Sequence, residues 1–116
     1  MYEVEFYKTE RGNAPVEDFI RGLESKMQAK AIMAIEILAE FGNRLREPYS
    51  KFIEDGIFEL RIKFSSDISR IFYFFWVDNK IILTNGFVKK SQKTPRTEID
   101  LAKKYKKDYE RRADHE

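Results

Sequence analysis

Apolar positions along the chain begin with period two and then lengthen to helical spacing. Tyr2, Val4 and Phe6 alternate with Glu3, Glu5 and Tyr7, which predicts a half-buried strand. Asn13-Ala14-Pro15 opens a helix, since proline in a first turn lacks only an N–H that would have had no partner. Val16, Phe19, Ile20 and Leu23 keep helical spacing up to a break over 22–24. Ser25-Lys26-Met27-Gln28 has the form of a capping box, in which Ser25 and Gln28 satisfy each other's end of a second helix. The inward stripe of that helix is Met27, Ala31, Ala34, Ile35, Leu38 and Phe41, and Gly42-Asn43 stops it. Ile32, Met33 and Ile37 fall outside the stripe, so this helix carries more apolar surface than a single core contact requires.

After Pro48 the period returns to two. Asp55-Gly56 signals a hairpin, and Phe58, Leu60, Ile62 and Phe64 alternate with Glu59, Arg61 and Lys63. Ser65-Ser66-Asp67 is a turn. Residues 68–77, ISRIFYFFWV, are apolar on both faces except at Ser69 and Arg70, as in a central strand covered on both sides. Asp78-Asn79 makes a two-residue turn into a strand from Lys80 to Val88. Thr94 caps a last helix with Pro95 at its first position, and Ile99, Ala102, Tyr105 and Tyr109 form its inward stripe. The expected order is β-α-α-β-β-β-α: two N-terminal helices and a C-terminal helix on an antiparallel sheet of four to five strands, hence α+β.

At 116 residues the chain is long enough for one core and too short for two. No run approaches the ~18 apolar residues of a membrane span, and no basic-then-apolar leader opens the sequence. With no cysteine there is no disulfide framework or thiolate metal site, and a cytoplasmic setting is expected. The net charge of +2 says little, but its distribution says more. Residues 1–88 hold 12 Lys and Arg against 14 Asp and Glu, whereas residues 89–116 hold 10 against 6. A basic C-terminal quarter suits a phosphate-rich partner, and equally a solvated helical tail.

The single histidine is His115, second from the end, which argues against Ser-His-Asp and Cys-His nucleophile systems and against a zinc site. The five glycines form neither GxGxxG nor GxxxxGK, so no phosphate-cradling loop is expected. Asp78-Asn79-Lys80 superficially matches half of a metal-dependent nuclease site, but Asp-Asn there suits the backbone of a tight turn. What remains is cationic. Arg61 and Lys63 share one strand face; Arg70 stands in the most apolar strand, where an arginine is costly unless paired or used. Lys89, Lys90 and Lys93 cluster where the next strand ends, and a meander brings such strand ends together. Arginine forks match phosphate oxygens in pairs, and lysine adds a mobile point charge. The plainer alternative pairs Arg61 with Glu59 or another carboxylate and makes Arg70 a satisfied interior ion.

Three segments, KFIEDGIFELRIKF, SRIFYFFW and GFVKKSQKTPRTEIDLAKK, together resemble the RelE/ParE toxin superfamily, in particular its HigB-like branch of phage-derived host-killing proteins. The similarity runs from NAPVEDFI to the last helix and implies one toxin domain over residues 1–116 with a RelE-like fold. It implies the toxin of a type II toxin–antitoxin pair, a ribosome-dependent endoribonuclease that inhibits translation. Such an enzyme needs no metal or other cofactor, and attack by the RNA's own 2′-hydroxyl leaves a 2′,3′-cyclic phosphate. The resemblance places catalysis on Arg61, Lys63, Arg70 and Lys90, with Lys89, Gln92 and Lys93 as RNA-binding residues. The family's C-terminal catalytic tyrosine has no obvious counterpart, since Tyr105 and Tyr109 lie far along a helix. Implied partners are mRNA on the ribosome and a small helix-turn-helix antitoxin, for which Ile32, Met33 and Ile37 are the candidate surface; no membrane partner is expected. Two other readings stay open: a ParE-like protein inhibitor of DNA gyrase, and a non-catalytic phage accessory protein with the same fold.

Overall fold

The computed structural model describes residues 1–89 and 93–113; Lys90, Gln92 and His115 lie outside the described residues. The chain runs β1 (Glu3–Phe6), α1 (Pro15–Arg21), α2 (Ser25–Phe41), a 3-10 turn (Gly42–Arg44), β2 (Ser50–Glu54), β3 (Ile57–Phe64), β4 (Asp67–Trp76), β5 (Lys80–Val88) and α3 (Arg96–Ala113). The class is α+β. Four strands follow the helices, and the sheet order is β1-β5-β4-β3-β2. β2 to β5 form the expected antiparallel meander, but β1 runs parallel to β5, pairing Val4 with Ile81 and Phe6 with Leu83. The sheet is therefore mixed. A tight turn forces its two strands antiparallel; β1 reaches its neighbour through no turn, so that constraint does not apply to it.

Each face of the sheet has its own core. On one side α1 and α2 cover Leu60, Ile62, Ile71, Tyr73, Ile81 and Leu83, supplying Val16, Met27, Ala31 and Leu38. On the other, α3 lays Ile99, Ala102, Tyr105 and Tyr109 over Ile57, Phe72, Phe74 and Ile82. The stripe read for α3 is the stripe observed. On α2, by contrast, Phe41 remains 40% exposed at the C-terminal end.

Two caps differ from expectation. α2 has Glu24 at its N-cap and no side-chain cap bond there. Gln28 turns back instead, its Nε2 donating to the carbonyls of Ile20 (2.9 Å) and Arg21 (3.1 Å) at the end of α1. The Ile20 carbonyl also accepts from the Leu23 N–H at 3.1 Å, so the amide adds to the closing turn of α1 and fixes the α1–α2 corner. Thr94 likewise does not cap α3; its hydroxyl donates to Glu59 on β3 at 3.0 Å.

The β4–β5 turn is a three-residue loop closed by the pair Trp76 and Lys80, with Asp78 and Asn79 both at positive φ. Further along, Ile71 pairs with Gly86 and Tyr73 with Leu83, so Phe72 of β4 opposes both Thr84 and Asn85 of β5, which bulge. Both bulge residues are buried. Asn85 Nδ2 donates to the Glu98 carbonyl (3.2 Å) and carboxylate (3.1 Å), which ties the start of α3 to the sheet. The far end is tied by the Tyr7 hydroxyl donating to Asp108 at 2.6 Å.

Gly42 combines φ of +51° with close packing: a Cβ there would lie 1.9 Å from a ring carbon of Tyr2. Gly42→Ala is expected to cost ~1–3 kcal/mol, from overpacking added to backbone strain. Thermal or urea unfolding reads this directly. An unchanged midpoint would mean that the Tyr2 ring swings aside without loss.

A candidate cationic site on the sheet

Strand alternation puts Glu59, Arg61 and Lys63 on the same face of β3 as Ile57, the face that α3 packs on. Arg70 shares that face with Phe72 and Phe74 of β4. The register places Arg61 directly opposite Arg70, and Lys51 of β2 directly opposite Glu59. Two cations facing each other across a strand pair repel, and Glu59 answers that repulsion. Its Oε1 lies 3.3 Å from Arg61 Nε and 3.2 Å from Arg70 Nε, with only 1% of its side chain exposed. The Arg61 contact is aligned as a hydrogen bond. The Arg70 contact is an ion pair without hydrogen-bond alignment, and Arg70 Nη1 reaches the Ser69 carbonyl only at 3.4 Å. Thr94 occupies the other carboxylate oxygen.

Lys89 completes the group. Its backbone N–H donates to the Ile68 carbonyl at 2.9 Å, which holds it beside β4. Burial pushes its ammonium below the usual lysine range; Glu59 opposes this, while Arg70, Arg61 and Lys51 lower it further. Burial also lowers Arg70, with Glu59 opposing and Arg61 adding to the effect. An arginine lowered from so high a starting point stays cationic at neutral pH.

Of the residues singled out in the sequence, Arg61, Arg70 and Lys89 come together. Lys63 is on the same face, two residues further along β3, and is exposed. Lys93 is exposed and adjoins Thr94, so it sits one residue from a Glu59 contact. Lys90 and Gln92 are not among the described residues. Ile32, Met33 and Ile37 are 51%, 53% and 37% exposed on α2, Met33 and Ile37 on the flank toward β3 and Ile32 on the flank toward α1 and β1. Tyr105 and Tyr109 are elsewhere: Tyr105 stacks on Tyr7 at 4.5 Å, and the Tyr109 hydroxyl donates to Glu5 at 3.0 Å.

The sequence marks Glu59 only as a counter-ion for Arg61 and gives Thr94, Lys51 and Tyr49 no place at the site. Glu59 had a signal, an acid two residues before Arg61 on one strand face. Tyr49 had none; it lines a cleft of about 480 Å³ together with Met33, Ile37, Arg61, Lys63 and Arg70. Among the described residues no three His, Asp or Glu side chains converge as a metal-ligand set. None of the described helices is long and apolar enough to cross a membrane.

A five-stranded mixed sheet with helices on both faces and this element order is broadly a RelE-like fold. Residues 18–107 match the family of phage-derived Gp49-like proteins (DUF891), and the chain belongs to that family, which is part of the toxin-like RelE superfamily. No curated protein matches the chain.

Proposed function

We propose that the protein is a HigB-like toxin of a type II toxin–antitoxin pair, acting in the cytoplasm as an endoribonuclease on ribosome-bound mRNA. The observation that carries this reading is the meeting of Arg61 and Arg70 on one buried carboxylate of the sheet face, with Lys89 held beside β4 next to them. Cleavage by the 2′-hydroxyl passes through a pentacoordinate phosphorane with added negative charge, and preorganised cations stabilise that charge. The attacking oxygen forms the new P–O bond, the P–O5′ bond breaks, and the 5′-oxygen leaves as a hydroxyl.

Arg61 and Arg70 are cast as phosphate ligands, with Lys63 and Lys93 along the RNA path. Lys89, its pKa lowered by burial and neighbouring cations, takes the proton-transfer role. Glu59 is unsuited to be the base, because both its oxygens are already engaged, Oε1 by Arg61 and Arg70 and Oε2 by Thr94. The exposed apolar group Ile32, Met33 and Ile37 supports docking of a small antitoxin, since apolar patches on a single chain mark partner surfaces.

The test is induced expression in bacteria, followed by end-group analysis of mRNA in a translation extract with magnesium held constant. Growth arrest relieved by the adjoining reading frame's product is expected, with cuts in ribosome-covered mRNA that end in 2′,3′-cyclic phosphate or 3′-phosphate. Intact mRNA with inhibited gyrase supercoiling would transfer the protein to the ParE-like class. A 3′-hydroxyl product would overturn the chemistry.

A further inference from the structure

The cleft beside the cationic residues has two unlike walls. Met33 and Ile37 of α2 make one side apolar, Tyr49 stands at the entrance to β2, and Arg61, Lys63 and Arg70 bring positive charge. Its volume of about 480 Å³ falls in the range of small-ligand clefts, ~300–1,000 Å³, which are mostly apolar with a few charged or polar groups.

Tyr49 is held by its backbone on both sides: its N–H donates to the Arg46 carbonyl at 2.9 Å, and its carbonyl accepts from Arg61 N–H at 2.9 Å. Its side chain nevertheless leaves the residue 57% exposed. An aromatic ring on a fixed backbone, exposed next to cations, has the properties of a base-stacking platform: a sequence-tolerant π face beside charge for the backbone phosphate.

We propose that this cleft is a single-nucleotide subsite, in which Tyr49 stacks on a nucleobase whose flanking phosphate meets Arg61, Lys63 and Arg70. The assignment rests on the endoribonuclease reading and adds to it a residue that touches the base. Charge complementarity favours RNA over a protein segment, since four cations (Lys30, Arg61, Lys63 and Arg70) line the cleft and no carboxylate does. Met33 and Ile37 also belong to the proposed antitoxin surface, so a partner seated there closes the subsite and competes with RNA directly.

The experiment uses a six-nucleotide RNA carrying 2-aminopurine, with every sugar 2′-O-methylated so that it cannot be cut. Affinity and fluorescence quenching are followed up to millimolar protein for the wild type, Tyr49→Phe, Tyr49→Leu and Lys63→Ala. Tyr49→Leu keeps bulk without the π face, and at an exposed position it should leave the thermal midpoint unchanged. Wild type and Tyr49→Phe are expected to bind alike and quench the probe, while Tyr49→Leu binds about 5- to 150-fold more weakly and loses the quenching. Lys63→Ala should weaken binding and retain quenching at saturation. Equal affinity and quenching in Tyr49→Leu would overturn the subsite alone. No wild-type binding, or binding indifferent to Lys63, would sink the phosphate site and the subsite with it. Normal RNA binding by a Tyr49→Leu protein that escapes neutralisation by the adjoining frame's product would give Tyr49 to a protein partner and refute the proposal.

Discussion

Arg70→Ala is expected to lower mRNA cleavage by about 10²–10³-fold, the usual loss when one preorganised donor to a developing oxyanion is removed. Alanine alone is not a clean test, because Arg70 is only 7% exposed and shares Glu59 with Arg61. Its removal leaves that carboxylate with one guanidinium and exposes apolar neighbours, so some stability goes too. Arg70→Lys separates the two effects. Lysine keeps a positive charge beside Glu59 but lacks the planar fork that binds two phosphate oxygens together. Arg70→Lys should therefore unfold close to the wild-type midpoint and still lose most of the cleavage. Measured by single-turnover cleavage beside thermal melts, a fully active lysine variant would reduce Arg70 to an interior counter-ion.

Arg70 was visible in the sequence because charge inside an apolar strand is costly without a use. The strands and helices were visible for a similar local reason: alternation on β3 and spacing on α3 each report burial along one element. What could not be read was non-local. β1 pairs in parallel with β5 although no turn or spacing links them. Gln28 follows a helix start, yet its amide serves the helix before it, a choice set by the α1–α2 corner. Glu59 shares a strand face with Arg61 and so reads as a counter-ion for that arginine, with nothing to mark it as buried. It is buried because Arg70 arrives from the next strand and Thr94 from the segment leading into α3, 35 positions on. Lys90 and Gln92 lie outside the described residues, so the structure does not bear on the roles expected of them.

Glu59→Gln carries the largest expected loss of stability, ~3–5 kcal/mol for an ion pair broken by removing one partner. The carboxylate is 1% exposed and meets the Nε atoms of both arginines, so its neutralisation leaves two facing guanidiniums, with Lys51 and Lys89 nearby, and no anion between them. Arg61 keeps about a quarter of its side chain in water and can be partly resolvated, which places the cost toward the lower end of that range. The paired change Glu59→Met/Arg70→Met should be much less damaging than the two single changes added together, because it removes the charges jointly; urea unfolding of the four proteins gives the coupling directly. Inorganic phosphate supplies a second readout. If the cluster is a phosphate-binding arrangement balanced by its own carboxylate, Glu59→Gln should recover stability as phosphate is added, more than in chloride of equal ionic strength, because an anion bound only by the folded form shifts the equilibrium by mass action. A single variant costing under ~1 kcal/mol would mean that Glu59 holds nothing together. Stability regained equally in chloride would mean that the arginines are relieved by screening alone and form no phosphate site.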